Sequence, residues 1–172
     1  MPHLKIRRAT LRDIELLVAH RRGMWRDMGY KNKKPLDAAD PVYRRWAKER
    51  LKNGELVGWI IEVSQKPVAS GCVWLQPVQP RPGFNGGGST YAHHPEQKSR
   101  GGQPYLLSMY TEPKFRGQGL AKKIVLESLR WAKKEGFSRM TLHASDMGKG
   151  IYEKLKFERT WEMKLDLKPK RR

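Results

Sequence analysis

The chain of 172 residues contains a single cysteine, Cys72, so it can build neither a disulfide framework nor a metal site from several cysteine ligands. No apolar run reaches the length that a membrane-spanning helix needs, and the N-terminus carries no apolar core of a secretory signal peptide. We therefore expect a cytoplasmic protein. The length predicts one domain over residues 1–172, ending in a basic tail at 168–172.

Acidic residues are scarce beside basic ones: 17 Asp and Glu stand against 36 Lys and Arg, which gives a formal net charge of +19. An excess of this size attracts polyanions such as nucleic acids and phosphorylated ligands. The basic residues are spread along the chain, and charge alone specifies no groove or base contact. Non-specific polyanion binding is therefore left open, and a basic nucleic-acid-associated protein remains an alternative.

The first half of the chain predicts a short strand, two helices and a β-hairpin. Thr10 and Asp13 have the spacing of a capping box, and Asp40 followed by Pro41 is typical of a helix start. Period-2 and β-branched segments separated by a short polar turn indicate the hairpin. The predicted elements are a strand at 5–8, helices at 11–28 and 40–53, and strands at 56–63 and 67–76.

The second half begins with a stretch rich in proline and glycine, from which we expect a long flexible loop at 83–103; whether this loop acts as a lid is left open. Beyond it the pattern predicts strand, helix, strand, helix and strand, at 105–111, 117–135, 139–144, 149–156 and 161–167. Helices, a hairpin and these alternating elements together predict a mixed α/β fold with helices on both faces of one sheet.

The stretch "FRGQGLAKK" predicts an anion site at the start of a helix. Backbone N–H groups in a first helical turn lack intrahelical partners and carry the positive end of the helix dipole. Gly117 and Gly119 would let a ligand approach that backbone closely. Lys123 stands where the Walker pattern needs Ser or Thr, and Lys122 where the dinucleotide fingerprint needs its third glycine. A glycine-rich helix start without any ligand is the alternative.

Two motifs resemble those of the GCN5-related N-acetyltransferases. "LLSMYTEPKFRGQGLAKKIV" is similar to the central motif R/Q-x-x-G-x-G/A, with Arg116, Gly119 and Ala121 at its defined positions. "TLHASDMGKGIYEKLKF" is similar to the second signature, in which Tyr152 and Phe157 match. Ser145 replaces the usual Asn, and Lys156 replaces the usual glycine before Phe157. The order of the predicted elements matches the family over about residues 4–167.

The resemblance implies a mostly antiparallel twisted sheet whose fourth and fifth strands splay apart around acetyl-CoA, with no metal. It implies that backbone N–H groups of the loop and first helical turn hold the pyrophosphate, while the preceding strand faces the pantetheine arm. A main-chain N–H of Met109 or Tyr110 would polarise the thioester carbonyl. The residues that the resemblance assigns to acetyl-CoA are Met109, Tyr110, Thr111, Arg116, Gly117, Gln118, Gly119, Leu120, Ala121, Lys122, Ser145 and Tyr152.

Acetyl transfer also needs an acid and a base. The resemblance makes Tyr152 the general acid that protonates the departing thiolate, with packing of its helix as the structural alternative. Glu112, just past the strand end, is our candidate base. Glu62, the adjacent His93 and His94, or a water chain are the alternatives. Cys72 lies in an apolar strand and is expected to be a small buried residue rather than an acyl carrier.

The function that the resemblance implies is transfer of acetyl from acetyl-CoA to a primary amine of a small molecule or peptide, by direct attack in a ternary complex. A non-catalytic CoA-binding sensor or interaction domain on the same fold is an alternative. The amine is not identified by the sequence, and a homodimer is left open. The resemblance places the acceptor near two segments, at about residues 29–40 and 77–104, and both are poor in carboxylates. This favours an amine bearing carboxylate or phosphate, or a peptide amine, over polycations.

Overall fold

A computed structural model of the chain describes residues 3–78 and 102–165. Most of the predicted loop at 83–103 therefore lies outside the described residues. The helices are α1 (Ile14–Asp27), α2 (Lys33–Asn53), α3 (Leu120–Lys134) and α4 (Asp146–Lys154), and the strands are β1 (Leu4–Arg8), β2 (Leu56–Val63), β3 (Lys66–Gln76), β4 (Gln103–Thr111) and β5 (Thr141–Leu142). No helix in the described ranges is long and apolar enough to cross a membrane.

The predicted capping box at the start of the first helical region is confirmed. The Thr10 side chain accepts a hydrogen bond from the N–H of Arg12, and the Asp13 carboxylate accepts one from the N–H of Thr10 at 2.8 Å. Arg7 of β1 also donates to both oxygens of Asp13, at 2.9 and 2.8 Å, and this pairing holds the pKa of Asp13 down at about 2. The box thus also ties α1 to the edge of the sheet.

The predicted start of the second helix is wrong. Asp40 is not its N-cap: α2 begins at Lys33, with the Asn32 side chain accepting from the N–H of Lys34, and Pro41 lies inside the helix. The eight residues at 33–40 before Pro41 are helical because Asn32 supplies the cap and Leu36 packs into the core. The end at Asn53 is confirmed, since Gly54 has a left-handed φ of 73°.

The five strands form one sheet in the order β1-β2-β3-β4-β5, antiparallel throughout except for the parallel pair β4-β5. One face carries a core cluster with α3, including Ile61, Val73, Leu106 and Ile124. The other face packs on α1 and α2 through a cluster that includes Leu17, Tyr43, Ala47 and Leu56. The predicted mixed fold with helices on both faces of the sheet is confirmed.

The C-terminal prediction fails in part. The strand expected at 139–144 is paired only at Thr141–Leu142, and residues 161–165, part of the strand expected at 161–167, have no strand structure. Their alternating apolar side chains, Trp161, Met163 and Leu165, are almost fully exposed. An alternating pattern predicts a strand only where a neighbouring strand supplies hydrogen bonds, and the short β5 does not extend far enough to supply them.

Candidate active site

A β-bulge in β4 shapes the middle of the candidate site. Ser70 pairs with Tyr110 and Cys72 pairs with Leu107, so the single residue Gly71 lies opposite two residues, Ser108 and Met109. Ser108 has a φ of 52°, in the left-handed region. A Cβ on Gly71 would lie 2.2 Å from the Met109 sulfur, so the glycine makes room for the Met109 side chain on the α3 face. The bulge bends β4 where the sheet opens.

Beyond the bulge, β4 continues without a partner on its β5 side among the residues that the structure describes. The parallel pairing of the two strands is limited to Tyr105 with Thr141 and Leu106 with Leu142, whereas β4 runs on to Thr111. Backbone groups of the last five residues of β4 therefore face the space beyond the end of β5. Met109, Tyr110 and Thr111, the residues expected beside the pantetheine arm, all lie in this part of the strand.

The turn after β4 leads directly into the first turn of α3, which has no side-chain cap. Gly117 and Gly119 both have a φ of 75°, so α3 starts at Leu120, three residues later than predicted. The first intrahelical bond joins the N–H of Lys123 to the carbonyl of Gly119 at 3.1 Å. The N–H groups of the preceding first-turn residues are consequently orphaned, and no acidic side chain lies in that turn.

Both glycines also leave open space around this backbone. A Cβ at either position would meet no heavy atom within 4 Å. Gln118 between them is exposed, and Leu120 is buried under the helix. An anion can therefore approach the N–H groups from solvent, and the pattern fits the pyrophosphate of acetyl-CoA.

The Arg116 side chain does not point at this helix end. Its guanidinium forms an ion pair with Asp27, at the end of α1, at 2.6 Å and donates to the Thr111 carbonyl at 2.9 Å. It also lies 5.7 Å from the ring centre of Tyr110. Arg116 thus ties α1 to the end of β4.

Tyr152 and Ser145, the second-motif residues, lie on α4 and at its N-cap. Ser145 Oγ accepts a hydrogen bond from the N–H of Gly148 at 3.2 Å, which explains why α4 starts at Asp146, three residues earlier than predicted. Tyr152 packs edge-on against Phe157, with ring centres 5.8 Å apart, and against the core cluster on the α3 face. Burial raises the pKa of the Tyr152 phenol above its ordinary value, so the group is protonated at neutral pH.

Glu112 lies just past β4, near one side chain that the sequence did not single out, His20. Its backbone N–H donates to the Val68 carbonyl at 2.8 Å, and its partly exposed carboxylate lies 3.9 Å from Nε2 of His20. His20 is buried on α1, and its Nδ1 lies 2.8 Å from Ser70 Oγ. The ring centres of His20 and Tyr110 are 5.0 Å apart.

Other candidates are placed elsewhere or outside the described residues. Glu62 is held by Arg7 at 2.6 Å near the sheet edge. Cys72 is fully buried as expected, and burial raises the pKa of its thiol to about 12. His93 and His94 fall outside the described residues. The described ranges contain no cluster of His, Cys, Asp or Glu arranged to hold a metal ion.

The sequence did hold signals for part of what was missed. His20 lies three residues after Leu17 and so on the buried stripe of α1, where a polar side chain must find a partner. Gly71 interrupts an apolar strand, which favours a bulge or a close approach. The left-handed Ser108 has no such signal, because serine is ordinary in a strand position.

Comparisons with known proteins bear on this geometry. A family model described as "Acetyltransferase (GNAT) family" matches residues 17–157. A GCN5-related N-acetyltransferase from Ralstonia eutropha JMP134 is 25% identical, over 96% of this chain and 99% of that chain, with a TM-score of 0.79. A predicted acetyltransferase with acetyl-CoA from Clostridium acetobutylicum is 27% identical, over 96% and 97% of the two chains, with a TM-score of 0.78.

More distant likeness extends to an aminoglycoside N-acetyltransferase in complex with CoA. It shares 19% identity over 98% of this chain and 97% of that chain, with a TM-score of 0.69, and therefore supports the fold alone. No curated protein sequence matches the chain.

Proposed function

Because the chain belongs to the acetyltransferase (GNAT) family, we propose that it transfers the acetyl group of acetyl-CoA to a primary amine of a small molecule or peptide by direct attack in a ternary complex. The observation that carries the proposal is the uncapped start of α3 beside the unpartnered half of β4. These two features offer a place for a pyrophosphate and for an extended arm ending in a thioester.

The proposed reaction needs the amine nitrogen to attack the thioester carbon, with cleavage of the carbon–sulfur bond. Glu112 takes the proton that the attacking nitrogen loses, and the Tyr152 hydroxyl gives a proton to the departing thiolate. The tyrosinate then takes a proton from solvent, and the Glu112 carboxyl releases its proton to solvent. A backbone N–H of Met109 or Tyr110 at the bulge stabilises the charge on the carbonyl oxygen during attack.

The charges near the expected acceptor side favour an amine that also carries a carboxylate or phosphate, or a peptide amine. Carboxylates that would attract a polycation are already paired: Asp27 with Arg116, and Asp37 and Asp40 with Arg22, each of the latter two at 2.5 Å. A polyamine or aminoglycoside would have to compete with these guanidinium groups. Glu96 lies outside the described residues.

A thiol-release assay with acetyl-CoA and a panel of amines tests the proposal. The panel contains alanine, trialanine, glucosamine 6-phosphate, spermidine and kanamycin, and product is confirmed by a mass increase of one acetyl group on the amine. We expect amine-dependent release with an anionic or peptide amine and little with the two polycations. Binding of CoA without amine-dependent release from any member would contradict catalysis and favour a CoA-binding sensor domain.

A further inference from the structure

His20 lies at a junction of three elements of the fold. Gly23, one turn further along α1, lacks the Cβ that would lie within 2.6–2.8 Å of the Tyr110 ring, so the helix can lie directly against β4. This close approach brings the His20 imidazole, which is 3% exposed, between Ser70 of β3 and Glu112 at the end of β4. Ser70 and Tyr110 are cross-strand partners beneath the ring.

The imidazole is neutral in this environment. Burial lowers the pKa of His20 to about 4, well below the usual range for histidine. The partial exposure of the Glu112 side chain, at 41%, leaves its negative charge largely to solvent and weakens its ability to hold a proton on the ring. At neutral pH one ring nitrogen therefore carries a hydrogen and the other accepts.

The surroundings select between the two neutral tautomers. A lone pair on Nε2 would face the negative carboxylate of Glu112, whereas an N–H there would be attracted to it. With the hydrogen on Nε2, Nδ1 becomes the acceptor for the hydroxyl of Ser70 at 2.8 Å. Ser70 is 1% exposed and lies on the inner side of the ring, whereas the Glu112 side chain is partly exposed. The carboxylate, and not the serine, is therefore the solvent-accessible end of this Ser–His–Glu set.

Other charged groups in the area balance one another. Asp27 would disfavour an ionised Glu112, but Arg116 pairs with it at 2.6 Å. The Tyr110 phenol has a pKa raised by burial first and also by Glu112 and Asp27, so it is neutral beside the carboxylate. The charged groups near His20 are therefore paired or neutral, apart from Glu112 itself. The Nε2–H of His20 faces the Glu112 carboxylate as a fixed dipole.

We propose that His20 is a positioning residue for the acetyl transfer: held by Ser70 through Nδ1, it directs its Nε2–H at Glu112 and keeps that carboxylate oriented at the end of β4, where it receives the proton of the attacking amine. The inference rests on the proposed function for its catalytic meaning. The array itself is a property of the resting protein. At 3.9 Å the contact is electrostatic and not a hydrogen bond, so its expected effect is moderate.

Nuclear magnetic resonance of the full chain tests the array without any substrate. With ¹⁵N-labelled histidine, we expect the His20 ring at pH 7 to be neutral and protonated on Nε2. At pH 7 the ¹³C carboxyl signal of Glu112 should differ between His20→Asn and the wild type, because the Nε2–H that faces the carboxylate is removed. An Asn amide can keep the Ser70 contact from the Nδ1 position, but it puts no group at Nε2.

His20→Gln is the matched control, because its longer side chain can present an N–H where Nε2 lies. It should return the ¹³C carboxyl signal of Glu112 toward its wild-type position. We expect His20→Asn to lower kcat/KM for the best amine of the panel about 10-fold with the KM for acetyl-CoA within about 2-fold, and His20→Gln to lower it less.

An unchanged kcat/KM for that amine in folded His20→Asn, or a ring protonated on Nδ1 in the wild type, would overturn the proposal. If His20→Asn does not fold, Glu112→Ala replaces it: without the carboxylate, the ¹⁵N signals of the imidazole should show a mixture of tautomers. A single Nε2-protonated form in Glu112→Ala would contradict the contact between the ring and Glu112. Because these signals need no turnover, a failure of acetyl transfer in the amine panel would be seen separately.

Discussion

At the scale of single residues, Tyr152 shows how packing alters the chemistry of a side chain. The phenol was predicted as the general acid, and the structure places it half-buried against Phe157 on α4. Burial raises its pKa, which keeps the proton on the oxygen at neutral pH but makes its release harder. A thiolate with a pKa of about 8.5 can take that proton only as its own charge develops.

Tyr152→Phe should therefore lower kcat about 10²–10⁴-fold while the affinity for acetyl-CoA stays nearly constant, because the ring and its packing are kept. Steady-state thiol release and calorimetry measure the two quantities. Since the acid is active in its protonated form, the wild-type rate should not fall from loss of the Tyr152 proton until pH exceeds about 10. A kcat within about 3-fold of the wild type would assign the proton to water and leave Tyr152 a packing role.

Lys156 is a second case in which one residue departs from its local preference. The sequence motif usually has glycine here, and Lys156 indeed has a left-handed φ of 65° at the end of α4. The turn nevertheless forms, because the N–H of Phe157 reaches the Tyr152 carbonyl at 3.0 Å. The strained backbone at Lys156 therefore lies close to the candidate acid, Tyr152.

Lys156→Gly should raise the free energy of unfolding by about 0.5–1 kcal/mol, since glycine adopts this φ without the Cβ clash. Chemical denaturation measures the change. Lys154→Gly, two residues earlier at the last residue of α4, is the control and should lower stability by up to about 1 kcal/mol. Equal losses in both variants would show that Lys156 is not strained.

At the scale of elements, α2 shows where local signals compete. Asp40-Pro41 is typical of a helix start, yet α2 begins at Lys33 and carries Pro41 in its interior. Pro41 has no N–H to donate within the helix, and its ring crowds the preceding turn. Pro35, in contrast, lies in the first turn, where a backbone N–H would have no helical partner in any case.

Pro41→Ala should therefore raise the free energy of unfolding by about 1–3 kcal/mol, less what proline contributes by restricting the unfolded chain. Pro35→Ala is the matched control and should leave stability unchanged or slightly lower. Both are measured by chemical denaturation with catalytic rate as a second readout. A Pro41→Ala protein no more stable than Pro35→Ala would place the true helix start nearer Asp40.

Elements whose formation depends on residues within the segment were predictable. Elements that depend on pairing with a distant segment were not. The hairpin β2-β3 and the helix α1 follow from periodicity and capping within the segment, so both were predicted closely. The strand expected at 161–167 is absent over the described residues 161–165, because alternation in "WEMKLDL" does not reveal whether a neighbouring strand exists. The bulge at Ser108 depends in the same way on the register between β3 and β4.

At the scale of the whole molecule, the sheet brings together groups that are far apart in the chain. The motif around Gly117 and Gly119 could be read directly, because a helix start and its glycines are contiguous in sequence. His20 and Glu112 are 92 positions apart, and only the packing of α1 on β4 makes them neighbours. The local geometry of the candidate cosubstrate side was therefore predictable, whereas the surroundings of the candidate base were not.

The central claim is that acetyl-CoA binds through the backbone at the start of α3, and α3 offers a matched pair of glycines with which to test it. Gly119 precedes the helix with a φ of 75°, and Gly136 follows it with a φ of 81°. A Cβ at either position meets nothing within 4 Å. Glutamate at either position thus brings the same backbone strain and the same charge, but only at 119 does it face the proposed pyrophosphate.

Calorimetric titration of acetyl-CoA into the wild type, Gly119→Glu and Gly136→Glu is the most direct measurement. We expect Gly136→Glu to bind with a Kd within about 3-fold of the wild type, and Gly119→Glu to bind at least about 100-fold more weakly, because its carboxylate repels the pyrophosphate and fills its approach. Equal melting temperatures of the two variants would confirm matched strain. A folded Gly119→Glu protein with wild-type affinity for acetyl-CoA would contradict the account.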